Sequence, residues 1–206
     1  MTHASNTAAG NDESLTIGVL ALQGAYDAHA QTIRRLGATP RMVRLPRDLD
    51  GIDGLIMPGG ESTTMLRFLE QRGFFDVLKE FTHSTPTFGT CAGAILLATD
   101  VTNPVQKSLG ALDITVERNS YGRQIDSTIV ESESALPGGP LEMVFIRAPR
   151  ITRTGAGVEI LATRGQDPVL VRGGHLLAAT FHPELGHDSR IHQLFLDMVR
   201  DYKPKA

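Results

Sequence analysis

TPTFGTCAGAILLAT, residues 85–99, sets a β-type run, a glycine-flanked turn and an apolar stretch in immediate succession. Residues 85–89 read as a strand that leads through Cys91 into the apolar residues 92–99. Upstream, GLIM (residues 54–57) closes on Pro58-Gly59-Gly60, a buried-type strand entering a glycine turn. Further back, LTIGVLAL (residues 15–22) is a continuous aliphatic and β-branched run, as expected for a strand covered on both faces of a parallel sheet. Between these runs the helical period appears. Tyr26, Ala30, Ile33 and Leu36 recur at that period across residues 26–36, with Gly37 placed to end the helix. Residues 41–45 come next, and residues 63–71 and 74–82 carry two short helical patterns separated by Gly73. Such alternation with short connections predicts an α/β fold, a doubly wound and mostly parallel sheet flanked by helices with right-handed crossovers. Ligands of such sheets sit at the carboxyl ends of the strands. Both the Gly59-Gly60 turn and Cys91 follow strands, so both are expected on that rim.

Beyond Pro104 the texture changes. Residues 114–116, 127–130, 143–146, 159–162, 169–171 and 176–181 read as strands joined by turns, giving a more β-rich second half. The last element, residues 188–202, spaces Ile191, Leu194, Phe195, Met198, Val199 and Tyr202 by threes and fours, an amphipathic helix. Residues 1–14 are small and polar and read as a disordered tail ahead of one domain, residues 15–203.

Composition narrows the function. With 206 residues, 41% of them apolar, the chain can bury a core without disulfides or metals. Its 20 basic and 23 acidic residues leave a net charge of −3, with no basic footprint for a phosphate backbone. No nucleic acid partner is expected. No apolar run is long enough to span a membrane and no secretory signal opens the sequence, so the expected location is cytoplasmic. The single cysteine excludes an intrachain disulfide and a multi-cysteine zinc site. The histidines show no metal-ligand spacing, and no metal is expected.

Cys91 then needs an explanation. A lone cysteine is often an inert core residue. Glycines two before and two after it, however, permit the sharp strand-to-helix turn of a nucleophile elbow. There the helix start favours a thiolate, and the Ala92 N–H points at an oxygen on the attacked carbon. The second piece is Phe181-His182-Pro183-Glu184. In an extended segment, residues two apart share a face, so Glu184 can orient the His182 ring as in a nucleophile triad. Without a thiol nearby, His182 would read more readily as a residue that caps a strand or packs under the final helix. The third is Pro58-Gly59-Gly60-Glu61-Ser62, where the glycine pair frees a peptide N–H at Gly60 to act as a second oxyanion donor. The same stretch also reads as an ordinary turn with Ser62 capping a helix.

The elbow cysteine and the late His-x-Glu resemble the class I glutamine amidotransferases. Further stretches, ALQGAYDAH (residues 21–29), PGGESTTM (58–65), FGTCAGAILLA (88–98), VERNSYGRQIDS (116–127), FIRAP (145–149) and FHPEL (181–185), resemble the glutaminase subunits of two-component pyridoxal 5'-phosphate synthases, the LQG, VERNS-GRQ and IRAP elements being the more particular ones. That resemblance implies the flavodoxin-like class I glutaminase fold and hydrolysis of L-glutamine to L-glutamate and ammonia. It implies Cys91 as nucleophile, His182 as proton shuttle and Glu184 as its orienting carboxylate. It also implies a glutamine pocket of Gly60, Glu61, Ser62, Arg118, Ile146 and Arg147. Nothing in the chain would consume ammonia, and the resemblance implies a separate synthase subunit as partner. Pyridoxal 5'-phosphate is then that partner's product, and no cofactor is expected here. Two other readings remain open at this point. One is a Cys-triad hydrolase of γ-glutamyl peptides; the other is a nonenzymatic flavin- or nucleotide-binding module, against which stands the lack of a GxGxxG or GxxxxGK[ST] loop.

Overall fold

The computed structural model describes residues 14–118 and 128–202. The tail up to residue 13, most of the VERNSYGRQIDS stretch and residues 203–206 lie outside the described residues. Five parallel strands form the centre: β1 (Thr16–Leu20), β2 (Thr39–Val43), β3 (Gly54–Met57), β4 (Thr87–Thr90) and, late in the chain, β12 (Leu176–Ala179). With β10 (Val158–Arg164) and β11 (Asp167–Gly173) as an antiparallel extension, they make a seven-stranded sheet ordered β10-β11-β12-β4-β3-β1-β2. The chain leaves β1 for β2 on one side and returns to β3 on the other. Crevices in open α/β sheets form at such reversals.

The central strands are covered on both faces, and β3, β4 and β12 are buried throughout. On one side α2 (Ser62–Gln71), α3 (Phe74–Ser84) and α4 (Ala92–Leu97) contribute Met65, Leu69, Phe74, Leu78 and Leu96 to the core. On the other, α1 (Tyr26–Arg35) and α5 (Arg190–Asp201) contribute Ala30, Ile33, Ile191, Phe195 and Val199. Each buried aliphatic or aromatic side chain stabilises the fold by about 1.5–3 kcal/mol. Among the described residues there are two smaller sheets, β5 (Ala98–Thr102) with β6 (Leu112–Glu117) and β9 (Arg150–Thr154), and the hairpin β7 (Thr128–Ser132) with β8 (Leu141–Phe145).

Three local readings need correction. The second strand is Thr39–Val43, not residues 41–45; it runs through Pro40 because β2 is the sheet's edge, where a missing N–H costs no ladder bond. The apolar residues 92–99 divide, helix giving way to β5 at Ala98, where Ala98 and Val101 face inward and Thr99 and Asp100 outward. Strand β9 has no sequence counterpart, since Ile151 is its one buried residue between arginines and threonines.

Candidate active site

Cys91 lies between the end of β4 and the start of α4 with φ 47 and ψ −101, a conformation that L-residues rarely adopt. Close packing imposes it. A Cβ on Gly89 would meet the Gly93 carbonyl, and one on Gly93 would meet the Met57 carbonyl of β3. Only glycine lets the helix start this near the neighbouring strands. Cys91 N–H donates to Ala179 O of β12 (2.8 Å) and Ile95 N–H donates to Cys91 O (3.1 Å), fixing the turn from both sides. Ala92, the first residue of α4, is fully buried.

His182 leaves the end of β12, next to β4, and its N–H donates to Val144 O at 2.8 Å. The segment is not extended as the sequence reading supposed. Pro183–Leu185 forms a 3-10 turn, because proline's fixed φ suits the first position of a helical turn. The turn still brings the two side chains together: His182 Nδ1 donates to Glu184 Oε1 at 2.8 Å, and Cys91, His182 and Glu184 are all buried. The other ring nitrogen is left for sulfur, and Cys91 and the His182 ring both adjoin Gly59. Burial alone would lower the His182 pKa. The hydrogen bonds and charges of Cys91 and Glu184 outweigh it and lift the pKa to about 10, so the imidazolium is favoured. Such a grouping can present a nucleophilic sulfur and hold a proton for a leaving group.

The turn after β3 lies against this pair, and a side chain on Gly59 would overlap the His182 ring and touch Cys91 Cβ. The Gly59 carbonyl faces the loop after β1, accepting from Ala25 N–H at 3.4 Å, while Glu61 N–H donates to Gln23 Oε1 at 2.9 Å. A trans peptide directs the Gly60 N–H the opposite way, toward the β4 side of β3, where Cys91 stands. Gly24, with φ 93, is required here because any Cβ would strike the Gly59 carbonyl.

Glu61, not Ser62, caps α2: its carboxylate accepts from Thr63 N–H (3.0 Å) and Thr64 N–H (2.7 Å). Partial burial would raise its pKa, but these hydrogen bonds bring it down to about 2. A carboxylate outcompetes the Ser62 hydroxyl for the free amides. Ser62 is instead the first helical residue, and its hydroxyl donates to Gln106 Oε1 at 3.0 Å. Arg118 Nη2 donates to Thr63 Oγ1 at 2.7 Å and lies 3.6 Å from Glu61 Oε1. Glu61 and Arg118 therefore meet, while the Ser62 side chain turns to Gln106. Ile146 and Arg147 follow β8; Arg147 is exposed with φ 42, and among the described residues no hydrogen bond or ion pair joins it to that cluster.

Two residues outside the expected site, His29 on α1 and His192 on α5, adjoin it. Both are fully buried, and His29 Nδ1 lies 2.9 Å from His192 Nε2 behind Glu184. The signal was in the register. His29 falls in step with Tyr26, Ala30 and Ile33, and His192 with Phe195, Leu196 and Val199, the spacing of a helix's inward face. Among the described residues no group of three or more His, Cys, Asp or Glu could hold a metal ion, and no helix is long and apolar enough to cross a membrane.

With this geometry in view, similarity to known proteins is informative. The pyridoxal 5'-phosphate synthase subunit PdxT of Koribacter versatilis (strain Ellin345) is 60% identical over 187 residues, covering 91% of this chain and 97% of that protein. The protein of the same name from Thermotoga maritima is 52% identical over 189 residues, covering 90% of this chain and all of its own. A glutamine amidotransferase crystal structure superposes with a TM-score of 0.83 at 45% identity, covering 89% of this chain and 98% of its own. The structure of PurLQS from Thermotoga maritima, at TM-score 0.65 and 14% identity, shares the fold. Residues 19–201 match one family description along nearly the whole sheet and its helices, and the chain belongs to the SNO glutamine amidotransferase family.

Proposed function

We propose that this chain is the glutaminase subunit of a pyridoxal 5'-phosphate synthase, with Cys91, His182 and Glu184 as its triad. Cys91 Sγ attacks the side-chain amide carbon of L-glutamine, and the developing oxyanion is held by the N–H groups of Gly60 and Ala92. The His182 imidazolium gives its proton to the departing nitrogen, so the C–N bond breaks and ammonia leaves. A glutamyl thioester remains on Cys91. Water, losing a proton to His182, attacks the thioester carbon, and glutamate leaves as the sulfur is restored. Glu184 holds the ring through both half-reactions. The observation that carries the reading is the meeting of a thiol after β4 with an imidazole–carboxylate pair after β12.

In the same reading, Glu61 and Arg118 face the α-ammonium and α-carboxylate of glutamine, with Ser62, Ile146 and Arg147 completing the pocket. Ammonia passes to a separate synthase subunit, whose docking sets the Gly59–Gly60 peptide through the Gln23-Gly24 loop. Glutamine hydrolysis, measured with and without that subunit, tests both parts. The expected result is faster release of glutamate and ammonia in the mixture, and none from Cys91→Ala. Equal rates would reject the switch, and turnover by Cys91→Ala would reject the triad.

A further inference from the structure

Glu184 has two carboxylate oxygens, and the His182 ring uses only Oε1. Oε2 is buried and forms no hydrogen bond, although a wholly buried carboxylate oxygen without a partner is costly. The group facing it is His29 Nε2, 3.4 Å away, with both side chains fully excluded from solvent. His29 Nε2 also lies 3.3 Å from Thr90 Oγ1, on the residue preceding Cys91. Behind it, His29 Nδ1 meets His192 Nε2 at 2.9 Å, and His192 Nδ1 is buried with no hydrogen-bond partner.

These contacts decide the tautomers. Burial, and the charges that His192 and His182 carry when protonated, keep the His29 pKa well below its usual value. Burial and the Arg35 charge lower that of His192 to about 4. Both rings are neutral at pH 7, each with one N–H. A proton on His29 Nδ1 would turn the Nε2 lone pair toward Glu184 Oε2 and leave His192 Nδ1 as an orphaned buried donor. With the proton on His29 Nε2, that N–H faces Oε2 and Thr90 Oγ1. His192 Nε2–H then donates to His29 Nδ1, and the unpartnered His192 Nδ1 is only a lone pair. The second arrangement leaves neither ring with an unpaired N–H and sets a donor, not a lone pair, against the Glu184 carboxylate.

We propose that His29 is a positioning residue for the triad: its Nε2–H holds the second carboxylate oxygen of Glu184, and His192 holds His29 in the tautomer that can do so. This rests on the reading of Cys91, His182 and Glu184 as a glutaminase triad. Two helices and a 3-10 turn are then tied together at one carboxylate. α1 and α5 steady it from one side and the turn after β12 from the other. The effect reaches the chemistry only through the His182 ring, so it falls on kcat and leaves glutamine binding alone.

The test compares His29→Gln, His29→Asn and His29→Leu in the full chain, assayed for glutamine hydrolysis with the synthase subunit present. A glutamine amide reaches the place of Nε2 with an N–H, an asparagine amide reaches only the place of Nδ1, and leucine keeps volume without a donor. The proposal expects kcat within about threefold of wild type for His29→Gln and about tenfold or more lower for His29→Asn and His29→Leu, with KM unchanged. Should leucine not be tolerated in the core, the order of Gln and Asn decides, since both are amides of the same polarity. Asparagine equal to or better than glutamine, or a loss confined to KM, would overturn the proposal. Failure of the triad itself is seen separately: the wild type would not hydrolyse glutamine, or Cys91→Ala would.

Discussion

His182 Nδ1 lies 2.8 Å from Glu184 Oε1 across a single 3-10 turn, and Glu184 has no exposed side-chain surface. A buried carboxylate this close stabilises the imidazolium. Glu184→Gln keeps the size and removes the charge, so the His182 pKa falls from about 10. Glutamine hydrolysis by the variant should lose about 10²- to 10⁴-fold in kcat. The alkaline limb of its pH–rate profile should also move toward neutrality. An alkaline limb that stays in place would mean that Glu184 does not set the charge on the ring.

Cys91 is the other support of that imidazolium. Cys91→Ala should reduce glutamine turnover to below about one thousandth while changing stability by no more than about 1 kcal/mol, since only one sulfur is removed. An NMR titration of His182 in this variant should show a lower pKa than in the wild type. Calorimetry checks that the fold persists.

Gly24→Ala places a methyl group against the Gly59 carbonyl at a φ of 93. Backbone must yield there, at a strain of about 1–3 kcal/mol. The Gly59–Gly60 peptide should turn and take its N–H away from the β4 side, so kcat should fall more than stability explains. Thermal unfolding and glutamine hydrolysis measured on one preparation separate the two effects. A variant with wild-type kcat would show that this peptide takes no part in the reaction.

Arg118→Ala should raise the KM for glutamine about tenfold and change kcat by less than about threefold, the pattern of a group that binds substrate and transition state equally. Glu61→Ala should add a stability loss of ~1 kcal/mol, because its carboxylate also caps α2 through Thr63 and Thr64. Steady-state kinetics and urea unfolding report the two contributions independently.

Acid stability should track the buried histidine pair. The His192 pKa is depressed to about 4 in the folded protein, against about 6.5 unfolded. Its contribution is therefore complete above pH 6.5 and disappears as pH falls toward 4, a loss of ~3 kcal/mol for this one group. His29, also lowered, steepens the same window. Urea midpoints across pH 7 to 4 should show this fall, and His192→Leu should remove about one proton from the slope. An unchanged slope would mean that His192 is not held neutral in the fold.

The outline of the sheet was legible in the chain because its central strands are buried on both faces and so read as unbroken apolar runs, as in residues 15–22 and 54–57. Strand β9 was not, because an edge strand with one buried residue leaves no period to detect. Around Cys91 the glycine spacing carried the elbow, since a backbone approach that excludes Cβ writes itself into residue type. The contact of His182 with Glu184 was foreseen for the wrong local geometry; a 3-10 turn brings them together where an extended segment was expected. Glu61 as helix cap was missed, with Ser62 in its place, because both residue types serve that position and only coordinates show which one reaches the amides.

Strand and helix alternation, the elbow and the His-x-Glu pair follow from local chemistry, since each depends on neighbours in sequence. Which carboxylate oxygen faces which ring depends instead on three segments, around residues 29, 184 and 192, that only folding brings together, with His29 3.4 Å from Glu184 and 2.9 Å from His192. Burial then does what sequence cannot: by excluding water it keeps the two helix histidines neutral and makes their tautomers a property of the assembled core.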